Sequence, residues 1–226
     1  MPQSDGPANA GLLLTVPILA RMRAIEGWLD DAEANLLIVT AAKALSELPE
    51  AAAMVEIGSY CGRSTVVLGS VLRTLRGAAK AKLYAIDPHD GQIGALDQGL
   101  QQVAPTFETF QRNIAAAGLD QWVEPVRQCS FQVAWSKPIG YLFIDGLHDY
   151  ANVARDFDHF ERWVTPGGYV AFHDYADYYP GVKTFVNEIL NKGDYEKVHC
   201  ALSMMVLRKR PEVAQPLCVG PAGGNV

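Results

Sequence analysis

Cysteine is scarce and scattered: Cys61, Cys129, Cys200 and Cys218 form no C-x-x-C pair. That spacing argues against a zinc knot, a redox dithiol and a disulfide scaffold, and fits a reducing, cytoplasmic setting. Positive charge is also thin. Nineteen Lys and Arg stand against 25 Asp and Glu, the formal net charge is −6, and no basic cluster exceeds Arg208-Lys209-Arg210. A broad nucleic-acid surface is not expected on such a chain. Long apolar runs are missing too. The stretch from Leu12 to Leu19 is interrupted by Pro17 and followed by Arg21 and Arg23, so it is too short for a membrane span and lacks the basic start of a signal peptide. No membrane partner is expected. Two nucleotide-binding glycine patterns are absent as well, the dinucleotide G-x-G-x-x-G and the phosphate loop G-x-x-x-x-G-K-[ST].

About half of the 226 residues are hydrophobic, enough for one α/β domain of ordinary size. Residues 1–10 are small and polar, and 211–226 are rich in Pro and Gly; both read as flexible or disordered ends around a domain at 11–210. Two amphipathic helices are predicted at 12–26 and 31–47, the second with Leu36, Leu37, Val39, Ala42 and Leu45 on its apolar side. Short apolar strands bounded by turn residues are predicted near 53–57, 82–86, 122–127, 140–145, 168–173, 195–200 and 202–208. Helices at 64–76, 106–117, 149–163 and 181–191 separate them. This alternation predicts a single doubly wound, Rossmann-like domain. Its mostly parallel seven-stranded sheet carries helices on both faces, with 11–48 as an N-terminal helical cap. The capping helices either cover an acceptor site or form a subunit interface, and a homodimer or higher homo-oligomer is expected. The segment 87–105, rich in Gly, Gln and Asp after a strand end, reads as a lid or a solvated loop.

The most informative stretch is Val55-Glu56-Ile57-Gly58-Ser59-Tyr60-Cys61-Gly62-Arg63-Ser64. A strand runs into a glycine turn and then a helix, which puts free backbone N–H groups at a sheet edge. Tyr60 stands where a dinucleotide site needs its middle glycine, so a pyrophosphate has no room there. An NAD-dependent oxidoreductase shares the strand–turn–helix unit, but Tyr60 breaks its fingerprint. Asp87 ends the second strand, where a carboxylate can accept both hydroxyls of a ribose. Ser130 and Phe131 follow the third strand and could bond and cover a ring, although a serine cap is an equal reading.

A second cluster lies downstream. Asp145 ends the wholly apolar strand Tyr141-Leu142-Phe143-Ile144, and His148 follows three residues on. Asp174 ends the strand after Pro166-Gly167-Gly168. If those strands are neighbours, two carboxylates meet at one rim and repel unless a cation or proton joins them. Oxygen donors without cysteine favour Mg²⁺ over zinc. His148 suits a general base at neutral pH, and His173 is either a supporting partner or strand-end packing.

The segment Glu56-Ile57-Gly58-Ser59-Tyr60-Cys61-Gly62-Arg63-Ser64 resembles motif I of class I S-adenosylmethionine (SAM) methyltransferases, and its wording is similar to catechol O-methyltransferases. The downstream run is Ile144-Asp145-Gly146-Leu147-His148-Asp149-Tyr150, then Asp156, Trp163, Pro166-Gly167-Gly168 and His173-Asp174. It resembles metal-dependent small-molecule O-methyltransferases of the macrolide-sugar and rhamnosyl group. The resemblance implies SAM as methyl donor and Mg²⁺ or another divalent cation as helper. It places Glu56, Gly58, Tyr60 and Ser64 around the methionine part of SAM, Asp87 at the ribose, and Gly62, Ser130, Phe131 and Asp145 elsewhere along the cofactor. Asp145 and Asp174 would bind the metal, and His148 would stand at the base position. A third metal donor is often found after the last aspartate; here that position is Tyr175, a poor neutral ligand, so a water or Asp177 could serve. The implied activity is methylation of a hydroxyl on a small molecule, a sugar moiety or natural product, with a catechol or phenol as the alternative acceptor. A non-catalytic SAM-binding protein would keep Glu56 to Ser64 and Asp87 but has no need of Asp145, His148 and Asp174 together.

Overall fold

The computed structural model of the protein describes residues 13–76 and 81–211. The expected flexible ends, 1–10 and 211–226, lie outside those residues except for Pro211. The chain forms α1 (Thr15–Arg23), α2 (Asp31–Glu47), β1 (Ala53–Ile57), α3 (Arg63–Arg76) and β2 (Leu83–Ile86). A small hairpin follows, β3 (Gln92–Ile93) and β4 (Gln101–Gln102). Then come α4 (Phe107–Ala116), β5 (Val123–Val126), β6 (Ile139–Ile144), α5 (Tyr150–Phe160), β7 (Val164–Phe172), α6 (Pro180–Lys192), β8 (Tyr195–Ala201) and β9 (Met204–Lys209).

Seven strands make one sheet in the order β5-β2-β1-β6-β7-β9-β8. Pairing is parallel from β5 through β7, and β9 runs antiparallel to both β7 and β8. Strands β1 and β6 are buried at every position because helices cover both faces. One apolar core lies under α1 to α4, and a second under α5 and α6. After β1 the chain builds outward through β2 and β5, then returns to lay β6 on the other side of β1. The order therefore reverses between β1 and β6, and a crevice opens there at the strands' carboxyl ends.

Local sequence explains the boundaries. Asp30 and Glu33 form a capping box at the start of α2, which ends at Leu48 before Pro49. Pro180 occupies the first turn of α6, and Gly193 ends it with a left-handed backbone. Helix α1 is shorter than expected, with Ala24 as its last cap and the chain turning at Gly27 (φ 147°). Val39, expected on the apolar side of α2, is exposed instead, because Leu36, Leu37, Ile38, Ala41 and Leu45 already define the buried stripe. The Pro166-Gly167-Gly168 turn lies inside β7 as a bulge. Ile139 pairs with Val164, Tyr141 with Tyr169, and the residues between loop out. No described helix is long and apolar enough to cross a membrane.

Candidate active site

A cavity of about 1020 Å³ occupies the crevice at the carboxyl ends of β1, β2, β6 and β7. Gly58 leaves β1 with φ 85°, and its N–H donates to the Ile86 carbonyl at 2.9 Å. A Cβ at Gly58 would sit 1.9 Å from the Asp145 carbonyl oxygen, so only glycine lets the turn cross the end of β6. Tyr60 also has a positive φ, 44°. Its N–H donates to Asp87 Oδ2 at 2.8 Å, and the His89 N–H donates to Oδ1 at 2.6 Å. Two backbone donors thus fix the Asp87 carboxylate at the cavity wall while each oxygen keeps a lone pair.

Gly58, Tyr60, Asp87, Ser130, Phe131, Asp145, His148 and Asp174 all line this cavity. Glu56, Gly62 and Ser64 do not, which corrects the expectation that Glu56 and Ser64 line the methionine part of a ligand and Gly62 another part of it. Glu56 points into the protein, fully buried. Ser64 Oγ and Thr65 Oγ1 bond its two oxygens at 2.5 and 2.6 Å. Burial pushes its carboxyl up to about 8, against the smaller opposing effect of the two hydroxyl bonds. Glu56 and Ser64 therefore brace the turn from beneath. Gly62 (φ 90°) lies against Phe110 and Ile114 of α4.

The parallel pairing of β6 with β7 brings the two expected aspartates together. Ligand atoms of Asp145, His148 and Asp174 all lie within 4.8 Å of one another. Asp174 holds a left-handed backbone, φ 59°, that turns its side chain back to the rim. His148 Nδ1 stands 3.2 Å from Asp174 Oδ2, and its ring packs on Tyr179 at 4.5 Å between centroids. His173 takes the supporting position. Its Nδ1 lies 3.1 Å from Asp145 Oδ1 and 3.0 Å from Asp174 Oδ2, while Nε2 lies 3.1 Å from Glu33 Oε2. Burial opposes its protonation, but the three carboxylates together hold it well above its ordinary value. Burial likewise opposes ionisation of Glu33, yet the His173 bond and charge bring it down to about 2. Asp174 is lowered too, again mainly by His173 acting against burial.

Three carboxylates thus share one imidazolium in a half-closed cleft, leaving excess negative charge beside His148. That surplus, and two oxygen donors on adjacent strands, fit a divalent cation whose remaining positions are filled by water or ligand oxygen. Tyr175 does not supply a third donor. Its hydroxyl donates to Asn187 on α6 at 2.8 Å, away from the cavity. Asp177 is no substitute, since it pairs with Lys183 at 2.6 Å and is exposed.

Residues 55–175, more than half of the chain, match the family described as methyltransferase domain. The chain belongs to this methyltransferase family. An uncharacterized protein of Acanthamoeba polyphaga mimivirus is 31% identical over 140 residues, which span 60% of this chain and 58% of the viral protein. The structure is similar to the O-methyltransferase NovP, with a TM-score of 0.66 at 18% identity over 80% of each chain. It is also similar to an O-methyltransferase from Bacillus cereus in complex with SAH, with a TM-score of 0.58 at 15% identity, over 86% of this chain and 89% of that one.

Several features of this methyltransferase's cavity escape sequence reasoning. Glu33 reaches it from α2, and its other oxygen accepts from Ser203 N–H and Oγ at 3.0 and 2.7 Å, tying the β8–β9 turn to the same point. The D-x-x-E capping signature at Asp30 was a readable signal for its helix role but not for its contact with His173. Asp156 lines the cavity beside Ser130, whose Oγ bonds its Oδ1. Burial first, partly offset by Ser130, raises Asp156 to about 6. Segment 87–105 folds over the opening as the β3–β4 hairpin, pinned where His148 N–H donates to Gly94 O and Leu96 N–H to Asp149 Oδ2. The α1–α2 connector adds Trp28 and Asp30 to the wall, so the N-terminal helices do border the site.

Proposed function

We propose that this methyltransferase transfers the methyl group of SAM to a hydroxyl oxygen of a small molecule, a sugar moiety or natural product, with help from Mg²⁺ or another divalent cation. The observation that carries the reading is the convergence of Asp145, His148 and Asp174 beside the Gly58 turn and the fixed Asp87 carboxylate. The turn excludes a pyrophosphate through Tyr60 but offers backbone N–H groups and a ribose-binding acid. The SAH-bound Bacillus cereus enzyme shares the fold and supports the same choice of donor.

In this mechanism Asp87 orients the ribose, and Ser130 and Phe131 receive the base. Asp145 and Asp174 would hold the cation, which would supply Lewis acidity and make a nearby hydroxyl easier to ionise. His148 directs Nδ1–H at Asp174, leaving Nε2 with the free lone pair; Nε2 takes the acceptor's proton as oxygen attacks the methyl carbon. The leaving group is the neutral thioether of SAH, so no covalent enzyme intermediate is needed. His173, held by Glu33, keeps the two aspartates in register. The β3–β4 hairpin covers the opening and excludes water. Alignment of acceptor and donor then contributes effective molarities on the order of 10⁵ M or more.

The test is calorimetry with SAM, with and without Mg²⁺, followed by methyl transfer to catechol and glycoside acceptors. His148→Ala is expected to lower kcat by roughly 10²- to 10⁴-fold with SAM affinity nearly unchanged. Full activity of the wild type in chelator removes the cation from the mechanism, and an unchanged rate in His148→Ala removes the base. A failure to bind SAM sinks the whole reading.

A further inference from the structure

Arg63 is the first residue of α3, directly after the cofactor turn, and it does not line the cavity. Its side chain leaves the turn for the α1–α2 connector, residues 24–30. Nε–H donates to the Leu29 carbonyl at 2.9 Å, and Nη1–H donates to the Ile25 carbonyl at 2.8 Å. One planar guanidinium thus holds the connector at two points in a fixed fork, which the point charge of a lysine cannot reproduce. Gly27 lets the connector lie close on the stem of the same side chain. Its φ is 147°, and a Cβ there would sit 3.1 Å from Arg63 Cδ. A second contact closes the joint: the Tyr60 hydroxyl donates to Glu26 Oε1 at 3.1 Å, and Trp28 packs on the Tyr60 ring at 5.3 Å.

The Leu29–Asp30 peptide is gripped from both sides. Arg63 takes its carbonyl, and Glu33 Oε2 accepts its N–H at 3.0 Å. The same Oε2 faces His173 Nε2 at 3.1 Å, and His173 Nδ1 faces Asp145 and Asp174 at 3.1 and 3.0 Å. A continuous chain of polar contacts therefore runs from Arg63 through this peptide, Glu33 and His173 to the two aspartates. Its two ends differ in how far they need it. The cofactor turn is fixed by its own backbone: Gly58 N–H donates to the Ile86 carbonyl, Tyr60 N–H to Asp87, and Gly62 N–H to the Ser59 carbonyl at 2.7 Å. Residues 26–29 belong to no helix or strand, so side chains that reach their backbone decide where they lie.

We propose that Arg63 is a positioning residue: through the Leu29–Asp30 peptide it holds Glu33, and with it the His173–Asp145–Asp174 end, in register with the cofactor turn. Arg63 stands outside the cavity, so its effect falls on alignment rather than on cofactor affinity. The consequence for methyl transfer rests on the O-methyltransferase reading; the grip on the connector does not.

The experiment compares full-length wild type, Arg63→Ala and Arg63→Lys. It reads site-resolved amide exchange, SAH affinity by calorimetry, and steady-state transfer from SAM with Mg²⁺ to the catechol and glycoside acceptors. In Arg63→Ala the Asp30 amide should exchange about tenfold or more faster, since its peptide loses a charge-assisted hydrogen bond. The Tyr60 and Gly62 amides should keep wild-type rates, and SAH affinity should hold. Turnover is expected to fall by about 10²-fold with the KM for SAM unchanged, the cost of a small misplacement remote from the chemistry. Arg63→Lys keeps the charge and the stem but not the fork, so it should fall between the two; it carries the test on the same readouts if Arg63→Ala does not fold. Wild-type exchange at Asp30 in the variants overturns the inference. Loss of Tyr60 protection together with SAH affinity also overturns it, because Arg63 would then prop the cofactor turn alone. Full recovery in Arg63→Lys reduces the fork to its charge, and faster Asp30 exchange with unchanged kcat removes the role in alignment; either result overturns the proposal. Failure of the wild type to bind SAH or to methylate any acceptor sinks the O-methyltransferase reading instead, and the exchange rates still decide whether Arg63 holds the connector.

Discussion

Gly58 and Gly99 offer a matched pair that separates backbone strain from collision. Their φ values are nearly equal, 85° and 89°. A Cβ at Gly99 would meet nothing within 4 Å, whereas at Gly58 it would meet the Asp145 carbonyl oxygen at 1.9 Å and carbon at 2.5 Å. Alanine at either position carries the cost of a positive φ, about 1–2 kcal/mol. At Gly58 the obstacle is backbone, which cannot rotate aside, so overpacking adds about 1–3 kcal/mol. Gly58→Ala should therefore cost roughly 2–5 kcal/mol in all. For a domain of this size each kcal/mol lowers Tm by roughly 2–4 °C. Gly99→Ala is expected to melt about 2–8 °C below wild type, and Gly58→Ala about 4–20 °C below. Relief of the collision would push the turn off β6, where Asp145 N–H donates to the Ile57 carbonyl at 2.8 Å. SAM affinity should then fall in Gly58→Ala and hold in Gly99→Ala. Scanning calorimetry and SAM titration on the three proteins check both parts. Melting temperatures of the two variants within experimental error of each other, with equal SAM affinity, would refute the close-approach argument.

Glu56 supplies a pH prediction. Its folded pKa, about 8, lies above the ordinary carboxylate value of 4.5. The folded state therefore binds the proton more tightly, and that contribution is fully present below pH 4.5, declines as pH rises, and is gone above about 8. Glu56→Gln keeps partners for Ser64 and Thr65 and has no charge to bury. Denaturation at several pH values should find the variant gaining on wild type by up to ~1.4 kcal/mol per pH unit through that window, with no such trend below pH 4.5; a pH-independent difference would contradict the burial of Glu56. Glu33 acts in the opposite sense. Its pKa, lowered to about 2, adds stability above pH 4.5 that is lost as pH falls toward 2. Glu33→Ala removes the cap, the His173 partner and the Ser203 acceptor at once, and should cost about 3 kcal/mol at neutral pH. Urea unfolding checks it, and a loss under 1 kcal/mol, the range of an exposed pair, would show the contact to be dispensable.

The division of labour between sequence and tertiary structure runs through individual residues. Apolar runs of strand length alternating with helical periods determined the α/β class and placed nearly every element of the sheet. The strength of that signal comes from burial on both faces, which keeps charged residues out of β6 and leaves Glu56 as the single one in β1. Gly58, Tyr60 and Asp87 were legible because a turn at a strand end constrains its own few residues. Asp145 and Asp174 were legible as strand-end acids, and their meeting followed once the strands were taken as neighbours. Other contacts depend on positions far apart in the chain, and local pattern does not encode them. Glu33 reads as a helix cap; only the packing of α2 against the end of β7 brings it to His173. Glu56 and Ser64 belong to a motif expected to face a ligand, yet Glu56 on β1 points into the core and Ser64 in the first turn of α3 bonds it there. Tyr175 follows Asp174, but the left-handed aspartate sends the next side chain to Asn187. Trp28, Leu96, Tyr178 and Leu202 line the cavity from four segments, each an ordinary loop when read alone. Local hydrophobic period and turn chemistry fix what an element is, and so the sequence determined the elements and the cofactor turn. Which side chains converge across elements is settled by strand order and helix packing, and so the tertiary structure alone decided the charge balance around His173 and the shape of the cavity mouth.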